Sequence, residues 1–365
     1  MPKIKEITTY LESFAPLAYQ ETYDNAGLLV GQYNWEVKGI LITLDITEDI
    51  IDEAIYKNCN LIVAHHPIIF KGLKKLNGNN YVERTVIKAI KNDIALYASH
   101  TNLDAVKNGV NYKIAEKLGL KSCKILKPKS NILNKLITFI PIDKTDDVLK
   151  ALYQAGAGKI GNYNECSFKI KGTGSFTPNE NSKPFIGNKG IKEETEENRI
   201  EVIFPSYLKN KILTALKNNH PYEEVAYYIQ ELENENQEVG SGLIGTLPEK
   251  MKTIDFLHDL KLKMNLKVIK YTNIVKDNIE KVAVCGGSGS FLLQDAIKQQ
   301  ADVFVSSDFK YHEFFDAENR LVIADIGHYE SEHFTKELFL EVLSEKYSNI
   351  ALVLSETKTN PINYL

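Results

Sequence analysis

Two stretches of the chain share one pattern, in which short β-type runs alternate with helical runs, and this pattern restricts the fold more than any other feature. The first stretch covers residues 37 to about 120, and the second runs from about residue 281 to residue 354. In the first, apolar runs at Val37–Leu44, Leu61–Ala64 and Ile94–Ala98 are separated by helical patterns. Such alternation is typical of α/β units with a largely parallel sheet.

The stretch between these two follows a different plan. It begins after a basic, turn-rich segment, Lys121–Asn134, and reads strand, helix, strand and then again strand, helix, strand. The six expected elements are Lys135–Ile140, Asp146–Ala155, Ser167–Lys171, Arg199–Phe204, Lys209–Lys217 and Glu223–Gln230. Two β-α-β halves in this order predict a ferredoxin-like fold. The Gly-, Pro-, Asn- and Glu-rich segment Thr173–Asn198 is expected to be a mobile loop.

A chain of 365 residues exceeds what one hydrophobic core usually organises. We therefore predict one α/β domain, residues 1–125 and 240–365, interrupted by a smaller α+β domain, residues 130–235. Insertion of a whole domain is tolerated where chain ends lie close together at a surface.

Charge and cysteine usage exclude several classes of function. The net charge of −4 comes from 44 basic and 48 acidic residues, which disfavours a nucleic-acid or membrane partner. No two of the four cysteines form a C-x-x-C pair, which argues against a zinc knuckle or a disulfide scaffold. The N-terminus lacks the apolar run of a signal peptide, and no segment has the roughly 20 apolar residues that span a bilayer. The expected location is the cytoplasm.

The strongest local motif is an apolar strand that ends in His65, His66 and Pro67. Functional groups gather at the carboxyl ends of parallel strands. Adjacent histidines on a turn can splay toward two neighbouring metal ions, and Pro67 would stiffen that turn. Taken alone, the motif is equally compatible with two solvent-exposed histidines in a loop.

Two further strand ends carry residues of the same type. His100 and Asp104 follow the strand at Ile94, and Asp104 supplies a hard anionic oxygen that suits Mg, Mn, Fe or Zn. His100 could be a ligand, a partner of a ligand, a proton carrier or a structural histidine. After the strand at Leu321, His328 and Glu332 are spaced i,i+4 on one helix face.

A rival i,i+4 pair, His333 and Glu337, occupies the same helix, and spacing alone does not choose between the two pairs. With His328 and Glu332, three strand ends would contribute three histidines and two carboxylates. That set is sufficient for two ions about 3.5–4 Å apart if one carboxylate bridges them.

Other polar segments have less specific interpretations. The glycine-rich segment Gly286–Gly289 could cradle a phosphate with its amides, or it could be a tight turn without chemical consequence. The segment Ser306–His312 could line the pocket that would hold this phosphate, or it could be only the polar start of a helix. The turn beginning at His220 is expected to carry exposed charges rather than a site.

Six motifs together resemble the GTP cyclohydrolase 1 type 2 homologues, also called NGG-interacting-factor-three-like dinuclear metal-centre proteins. The motifs, which span essentially the whole chain, are Asp24–Gly31, Leu44–Thr47, Ala64–Pro67, His100–Asp104, Gly286–Gly289 and Asp325–Glu332. The segment His220–Ala226 also resembles an insert that the longer members carry, which is similar to the PII signal-transduction and CutA copper-tolerance folds.

The resemblance implies a toroidal homohexamer with two divalent metal ions per subunit. It implies that His66 and Asp104 hold one ion, that His65 and His328 hold the other, and that Glu332 bridges both, which favours His328 and Glu332 over the rival pair. The ion could be Zn, Fe, Mn, Co or Ni, since His and carboxylate ligands suit all of them. The family name implies hydrolytic opening of the guanine ring of GTP.

Two functional hypotheses follow. The first is a metal-dependent hydrolase in which metal-activated hydroxide acts on a nucleotide or another phosphorylated compound, with His100 or His312 moving protons. The second is a non-catalytic metal-binding, sensing or trafficking assembly in which the inserted domain has a regulatory role.

Overall fold

The computed structural model describes residues 1–365, which form two compact units. One comprises Met1–Pro128 with Glu238–Leu365, and the other comprises Lys129–Gln237. None of the helices combines the length and the apolar character that crossing a lipid bilayer requires. The fold is mixed α/β with three sheets.

Fifteen strands build these sheets. In chain order they are β1 (Gly27–Val30), β2 (Gly39–Thr43), β3 (Leu61–Ala64), β4 (Ala95–Ala98), β5 (Lys121–Lys129), β6 (Leu133–Pro141), β7 (Phe168–Phe176), β8 (Glu193–Pro205), β9 (Tyr227–Leu232), β10 (Asn236–Lys252), β11 (Lys270–Tyr271), β12 (Asn278–Ser288), β13 (Val303–Ser307), β14 (Val322–Asp325) and β15 (Ala351–Leu354).

Eleven α-helices and five short 3-10 helices connect the strands. The α-helices are α1 (Ile4–Phe14), α2 (Glu48–Tyr56), α3 (Tyr81–Lys91), α4 (Thr101–Ala105), α5 (Val110–Leu118), α6 (Thr145–Ala155), α7 (Lys209–Asn219), α8 (Thr253–Lys263), α9 (Leu293–Lys298), α10 (His328–Glu332) and α11 (Thr335–Ser344).

The first sheet of the larger unit has the order β1-β4-β3-β2-β15. Its strands β15, β2, β3 and β4 pair in parallel, and β1 joins the edge in the antiparallel direction. Strands β2, β3 and β4 are buried along their whole length because helices cover the sheet, and such strands are continuous apolar runs in the sequence. Since β3 and β4 are parallel neighbours, the segments after Ala64 and Ala98 begin at the same edge.

The second sheet of this unit has the order β11-β14-β13-β12-β10-β5. Strands β12, β13 and β14 pair in parallel, whereas β11 and β10 join them in the antiparallel direction. The sequence predicts a largely parallel sheet. The structure has two mixed sheets: four of the five strands of the first sheet are parallel, and the parallel strands of the second are β12, β13 and β14.

Strands β10 and β5 were not predicted, and the segment Lys121–Asn134 was expected to be turns. In β10, glycines interrupt the apolar pattern. A Cβ atom on Gly240 would lie 2.2 Å from the carbonyl oxygen of Lys127, and one on Gly245 would lie 2.7 Å from the Sγ atom of Cys123. These glycines allow β5 to approach closely, so the feature that makes the pairing possible also hides the strand from a search for apolar periodicity.

Two hydrophobic clusters lie in the larger unit. One joins strand residues Leu41, Ile62 and Leu96 to Ile50 of α2 and Val86 of α3. Thr47 caps the N-terminus of α2: its side-chain oxygen accepts a hydrogen bond from the amide of Ile50 at 3.3 Å. The other cluster lies on the second sheet and includes residues of β12, β13, β14 and α9.

Helices α5, α10 and α11 connect the two sheets. Helix α11 packs against β2, β15 and α5, whereas α5 and α10 pack against β12 of the second sheet. The segments that follow β3, β4 and β14 therefore approach one another between the sheets.

The smaller unit has a four-stranded sheet with the order β7-β8-β6-β9, in which all neighbours pair antiparallel. Helix α6 lies between β6 and β7 in the chain, and α7 lies between β8 and β9. Its core joins Leu136 and Phe204 of the sheet to Leu152, Ile212 and Leu216 of the helices. Strands β7 and β8 extend to Phe176 and from Glu193, so the connection expected over residues 173–198 comprises only residues 177–192.

Candidate metal centre

His65 and His66 lie on a turn directly after β3. Their backbone amides both donate to the carbonyl oxygen of Leu44, at 3.1 and 2.9 Å. Two successive amides that share one acceptor bend the chain out of the strand direction, so both side chains are presented at the edge of the sheet. Their ring centroids lie 4.9 Å apart, with 43° between the ring planes.

His65 is fully buried, and a backbone hydrogen bond fixes its orientation. Its Nδ1 atom lies 2.9 Å from the carbonyl oxygen of Ser99, which can only accept, so Nδ1 carries the hydrogen. The lone pair of a neutral imidazole is then on Nε2. That atom lies 3.6 Å from Oδ1 of Asp104 and 3.7 Å from Oε1 of Glu332.

His66, His328 and Glu332 form a second group. The Nε2 atoms of His66 and His328 lie 3.0 and 3.1 Å from Oε2 of Glu332 and 3.4 Å from each other. Helix α10 begins at His328 and ends at Glu332, so the i,i+4 spacing on one helix face positions both side chains.

Carboxylates behind the histidines orient the rings. Asp45 Oδ1 lies 2.7 Å from Nδ1 of His66, and Asp308 Oδ2 lies 2.6 Å from Nδ1 of His328. Histidines that bind metals almost always donate their second ring N–H to such a partner. Sequence reasoning did not assign roles to these aspartates, although Asp45 follows the end of β2 in the same way that the histidines follow β3.

His100 is held in a similar way. Its Nδ1 atom lies 2.8 Å from Oδ1 of Asp24, whose other oxygen accepts a hydrogen bond from the amide of Thr101 at 3.0 Å. The ring centroid of His100 lies 5.3 Å from that of His65 and 5.4 Å from that of His66. A ring nitrogen of each of these three histidines lies within 4.8 Å of the other two.

The glycine-rich segment supports Glu332. Gly287 has φ +60°, and a Cβ atom there would lie 2.4 Å from Oε1 of Glu332. The amides of Gly286 and Gly287 donate to the side chains of Asn111 and Ser331, both at 2.9 Å. These two amides are thus used within the protein, and the absence of a side chain at Gly287 makes room for the carboxylate.

His312, the other predicted proton carrier, lies apart from these contacts. It is exposed in a 3-10 helix, Tyr311–Ala317, and its ring contacts are with Tyr311 and Phe315. No hydrogen bond, ring contact or ligand group joins it to the histidine cluster.

The rival pair has other contacts. His333 Nδ1 lies 3.1 Å from the carbonyl oxygen of Glu330, and Glu337 lies 2.7 Å from Nζ of Lys117. The sequence predicts one helix for both pairs, but the structure has two helices, one that ends at Glu332 and one that begins at Thr335, and His333 and Glu337 lie outside the cluster.

Hydrogen bonds and nearby charges shift the pKa values of several side chains in the cluster. Burial lowers the pKa of His66 and of His328, but hydrogen bonds raise it by more. The partners are Asp45 and Glu332 for His66, and Asp308 and Glu332 for His328. The resulting pKa values are about 10 and about 11. Burial and the nearby Glu332 carboxylate raise the pKa of Asp104 to about 7.

The donor set fits a divalent cation. Nε2 of His65 and Oδ1 of Asp104 are buried, and neither has a hydrogen-bond partner. Such orphaned atoms cost free energy unless something else contacts them. Ligands about 2.0–2.2 Å from one ion lie roughly 3–4 Å from each other, and the separations in both groups fall in that range.

Comparison with known proteins assigns the chain to a family. The model of the Duf34/NIF3 (NGG1p interacting factor 3) family matches residues 2–361. The chain belongs to the Duf34/NIF3 family. Within this family it is 40% identical over 359 residues to a GTP cyclohydrolase 1 type 2 homolog of Halalkalibacterium halodurans, covering 97% of this chain and 96% of that protein.

Other Duf34/NIF3 relatives agree. A GTP cyclohydrolase 1 type 2 homolog of Bacillus subtilis is 38% identical over 367 residues, covering 99% of this chain and 98% of the relative. The crystal structure of a Bacillus cereus protein related to NIF3 matches with a TM-score of 0.87 and 38% identity, covering 100% of this chain and 99% of that one. This confirms the family resemblance predicted from the six motifs.

Proposed function

We propose that this chain binds two divalent metal ions and acts as a metal-dependent hydrolase on a nucleotide or a related compound. The observation that supports the proposal best is the pair of buried, unpartnered atoms, His65 Nε2 and Asp104 Oδ1, which lie 3.6 Å apart. Both face the Glu332 carboxylate within a cluster of imidazoles. A cation between them would give both atoms a partner.

Glu332 would bridge the two ions. Its Oε1 atom is nearest to His65, and its Oε2 atom is nearest to His66 and His328. The geometry therefore groups His65 with Asp104 and His66 with His328. The family resemblance instead pairs His66 with Asp104 and His65 with His328. In both arrangements the same five side chains hold the ions.

Divalent cations held in this way supply Lewis acidity, which acidifies water and polarises a carbonyl or phosphoryl group. The protein supplies orientation and proton transfer. His100 contacts both histidines of the turn, and Asp24 holds its Nδ1 atom, so its Nε2 atom is available to accept or donate a proton. The role of His312 stays a prediction from the sequence.

A substrate assay tests the proposal. Protein loaded separately with Zn, Mn, Fe, Co or Ni is incubated with GTP and with a panel of phosphoesters, and product formation is measured. We expect the wild type and His258→Asn, a change at an exposed histidine, to turn over a substrate, and we expect Glu332→Gln to have lost this turnover. Turnover that persists in a His66→Ala Glu332→Ala double variant would show that the ions are not catalytic.

The alternative is a metal-binding, sensing or trafficking assembly that catalyses no reaction. The separate core of residues 129–237 supports a regulatory role for that unit. Metal exchange without turnover of any compound in the panel would favour this alternative.

We also propose that residues 129–237 are a ferredoxin-like insert of the PII/CutA type and that the protein assembles as a toroidal hexamer. The strand order β7-β8-β6-β9 and the positions of α6 and α7 in the chain support the first part. The hexamer rests on the family resemblance. Light scattering coupled to size-exclusion chromatography measures the mass, and a mass other than six chains would contradict it.

A further inference from the structure

A cavity of about 640 Å³ lies within the smaller unit, independent of the metal centre. It is lined by the end of β7, the connection between β7 and β8, and the segment that precedes β9. Its volume lies within the range of small-molecule sites, about 300–1,000 Å³. The proposed function does not use this cavity.

Aromatic rings form part of its wall. The ring centroid of Tyr222 lies 6.0 Å from that of Phe176 and 6.2 Å from that of Phe185. Phe185 is 54% exposed, although a large aromatic side chain is usually more deeply buried. Rings in this arrangement can present their negative faces to a cation.

A buried carboxylate also lines the cavity. Glu197 is only 7% exposed, and its Oε1 atom accepts a hydrogen bond from the Tyr222 hydroxyl at 2.8 Å. No Lys, Arg or His lies within ion-pair distance of this carboxylate, which can accept further hydrogen bonds. A buried carboxylate without a cationic partner is unfavourable unless a ligand compensates for its charge.

Gly174 makes room for this carboxylate. A Cβ atom there would lie 2.2 Å from Oε2 of Glu197, whereas one on Gly172, two residues earlier on the same strand, would meet nothing within 4 Å. A methyl group at position 174 would therefore meet the Glu197 side chain, whereas one at position 172 would not.

The other charges of the cavity leave it electronegative. Lys171 and Arg199 also line it, but they are paired with Glu196 and Glu201, at 2.8 Å each. Neither of those two acids lines the cavity, whereas Glu223 and Glu224 do. The cavity thus presents carboxylates and aromatic faces, and its two cations are already compensated.

We propose that this cavity binds a small organic cation that carries N–H donors, with Glu197 accepting its hydrogen bonds and the rings around Tyr222 contacting its apolar part. Charge-assisted hydrogen bonds to a buried carboxylate and cation–π contacts both favour such a ligand over a neutral molecule of the same shape.

Benzamidinium and benzamide are suitable probes, because they have nearly the same shape and differ in charge. Binding of each to the full-length protein is measured by ligand-observed NMR titration. We expect benzamidinium to bind at least about tenfold more tightly than benzamide, as one additional charge-assisted contact allows. Absence of binding, or equal affinity for the two probes, would overturn the proposal.

Variants locate the site. Glu197→Gln should remove the preference for the cation, whereas Glu194→Gln, at an exposed position of the same strand, should keep it. Should Glu197→Gln not fold, Gly174→Ala tests the same point, because the added methyl group displaces the carboxylate without removing its charge. Gly172→Ala is its control. A preference that survives both Glu197→Gln and Gly174→Ala would place the probe elsewhere and contradict the proposal.

A Glu332→Gln variant separates this site from the metal centre. The preference for benzamidinium should be unchanged in it, because Glu332 belongs to the other unit. Loss of the preference in Glu332→Gln would show that the probe binds at the metal centre, which would refute the proposal.

Discussion

The Nε2 atoms of His66 and His328 lie 3.4 Å apart, although the two residues are 262 positions apart in the chain. Oε2 of Glu332 lies 3.0 and 3.1 Å from them. Two protonated imidazoles at this distance repel each other and need a nearby anion. Two neutral imidazoles can instead direct their lone pairs at a shared cation. The Glu332 carboxylate can meet the first need, and together with the two imidazoles it can hold a shared cation.

Glu332→Gln should abolish high-affinity metal binding. The substitution keeps the shape of the side chain but removes the only charge shared by both ligand groups. We expect the metal content of protein purified without added metal, measured by elemental analysis, to fall at least about tenfold. Glu330→Gln, two residues earlier in the same helix, should leave the content unchanged. Equal metal content in wild type and Glu332→Gln would count against the bridging role.

Asp45→Asn should weaken metal binding without removing it. The amide oxygen can still accept the hydrogen bond from Nδ1 of His66, but the negative charge that increases the basicity of the ring is lost. Changes to such outer partners typically cost about 10–100-fold in metal affinity. Competition with a chromophoric chelator measures the affinity. Thr359→Val, which removes a hydrogen bond to the other oxygen of Asp45, should have a smaller effect; an equal or larger one would argue against the charge as the cause.

Gly287→Ala should disturb both stability and metal binding. Its backbone has φ +60°, where a Cβ atom costs roughly 1–2 kcal/mol. The methyl group would also displace the Glu332 carboxylate. We expect a lower free energy of unfolding and a loss of bound metal, measured by denaturant titration and elemental analysis. Gly72→Ala, where a Cβ atom meets nothing within 4 Å, is the control. Wild-type metal content in Gly287→Ala would refute the support role assigned to the glycine.

Acidification should weaken the smaller unit through His220. Its Nε2–H donates to the carbonyl oxygen of Phe139 at 2.9 Å, and its Nδ1 accepts from the amide of Tyr222 at 3.1 Å. The second contact requires the neutral ring, because a protonated Nδ1 cannot accept a hydrogen bond. Burial lowers the pKa of His220 below 6.5, although the hydrogen bond to Phe139 opposes this. The unfolded chain therefore binds the proton more readily, and this contribution to stability is present above about pH 6.5 and lost as the pH falls below it.

Hydrogen exchange detected by mass spectrometry measures this effect. Protection of residues 129–237, corrected for intrinsic exchange rates, should fall between about pH 7.5 and about pH 5.5. His220→Gln should flatten this dependence, whereas His258→Asn, at an exposed histidine, should not. An identical pH dependence in the wild type and His220→Gln would disprove the assignment.

The structure brings together the five side chains that the sequence predicts as metal ligands, because these residues follow the ends of buried strands. An apolar run such as Leu61–Ala64 is visible without a structure, and the side chains after it must lie at the edge of the sheet. The i,i+4 spacing of His328 and Glu332 is local as well. Residues that act through long-range contacts were not assigned, since nothing in the sequence pairs Asp45 with His66 or Asp308 with His328.

The role of Gly287 and strand β10 were not predicted, again because both depend on long-range contacts. Gly287 was recognised as part of a glycine-rich turn, but only the fold shows that Glu332 occupies the space beside it. Strand β10 was missed because its glycines break the apolar pattern at the positions where β5 packs closely. Both cases depend on neighbours that are distant in the chain, which periodicity does not report.

Anomalous diffraction from a crystal of the metal-loaded protein tests the central claim most directly. Two peaks are expected between the side chains of His65, His66, Asp104, His328 and Glu332, each about 2.0–2.2 Å from its ligand atoms, with Glu332 contacting both. Peaks located elsewhere, or five side chains that lie apart with no peak between them, would contradict the account.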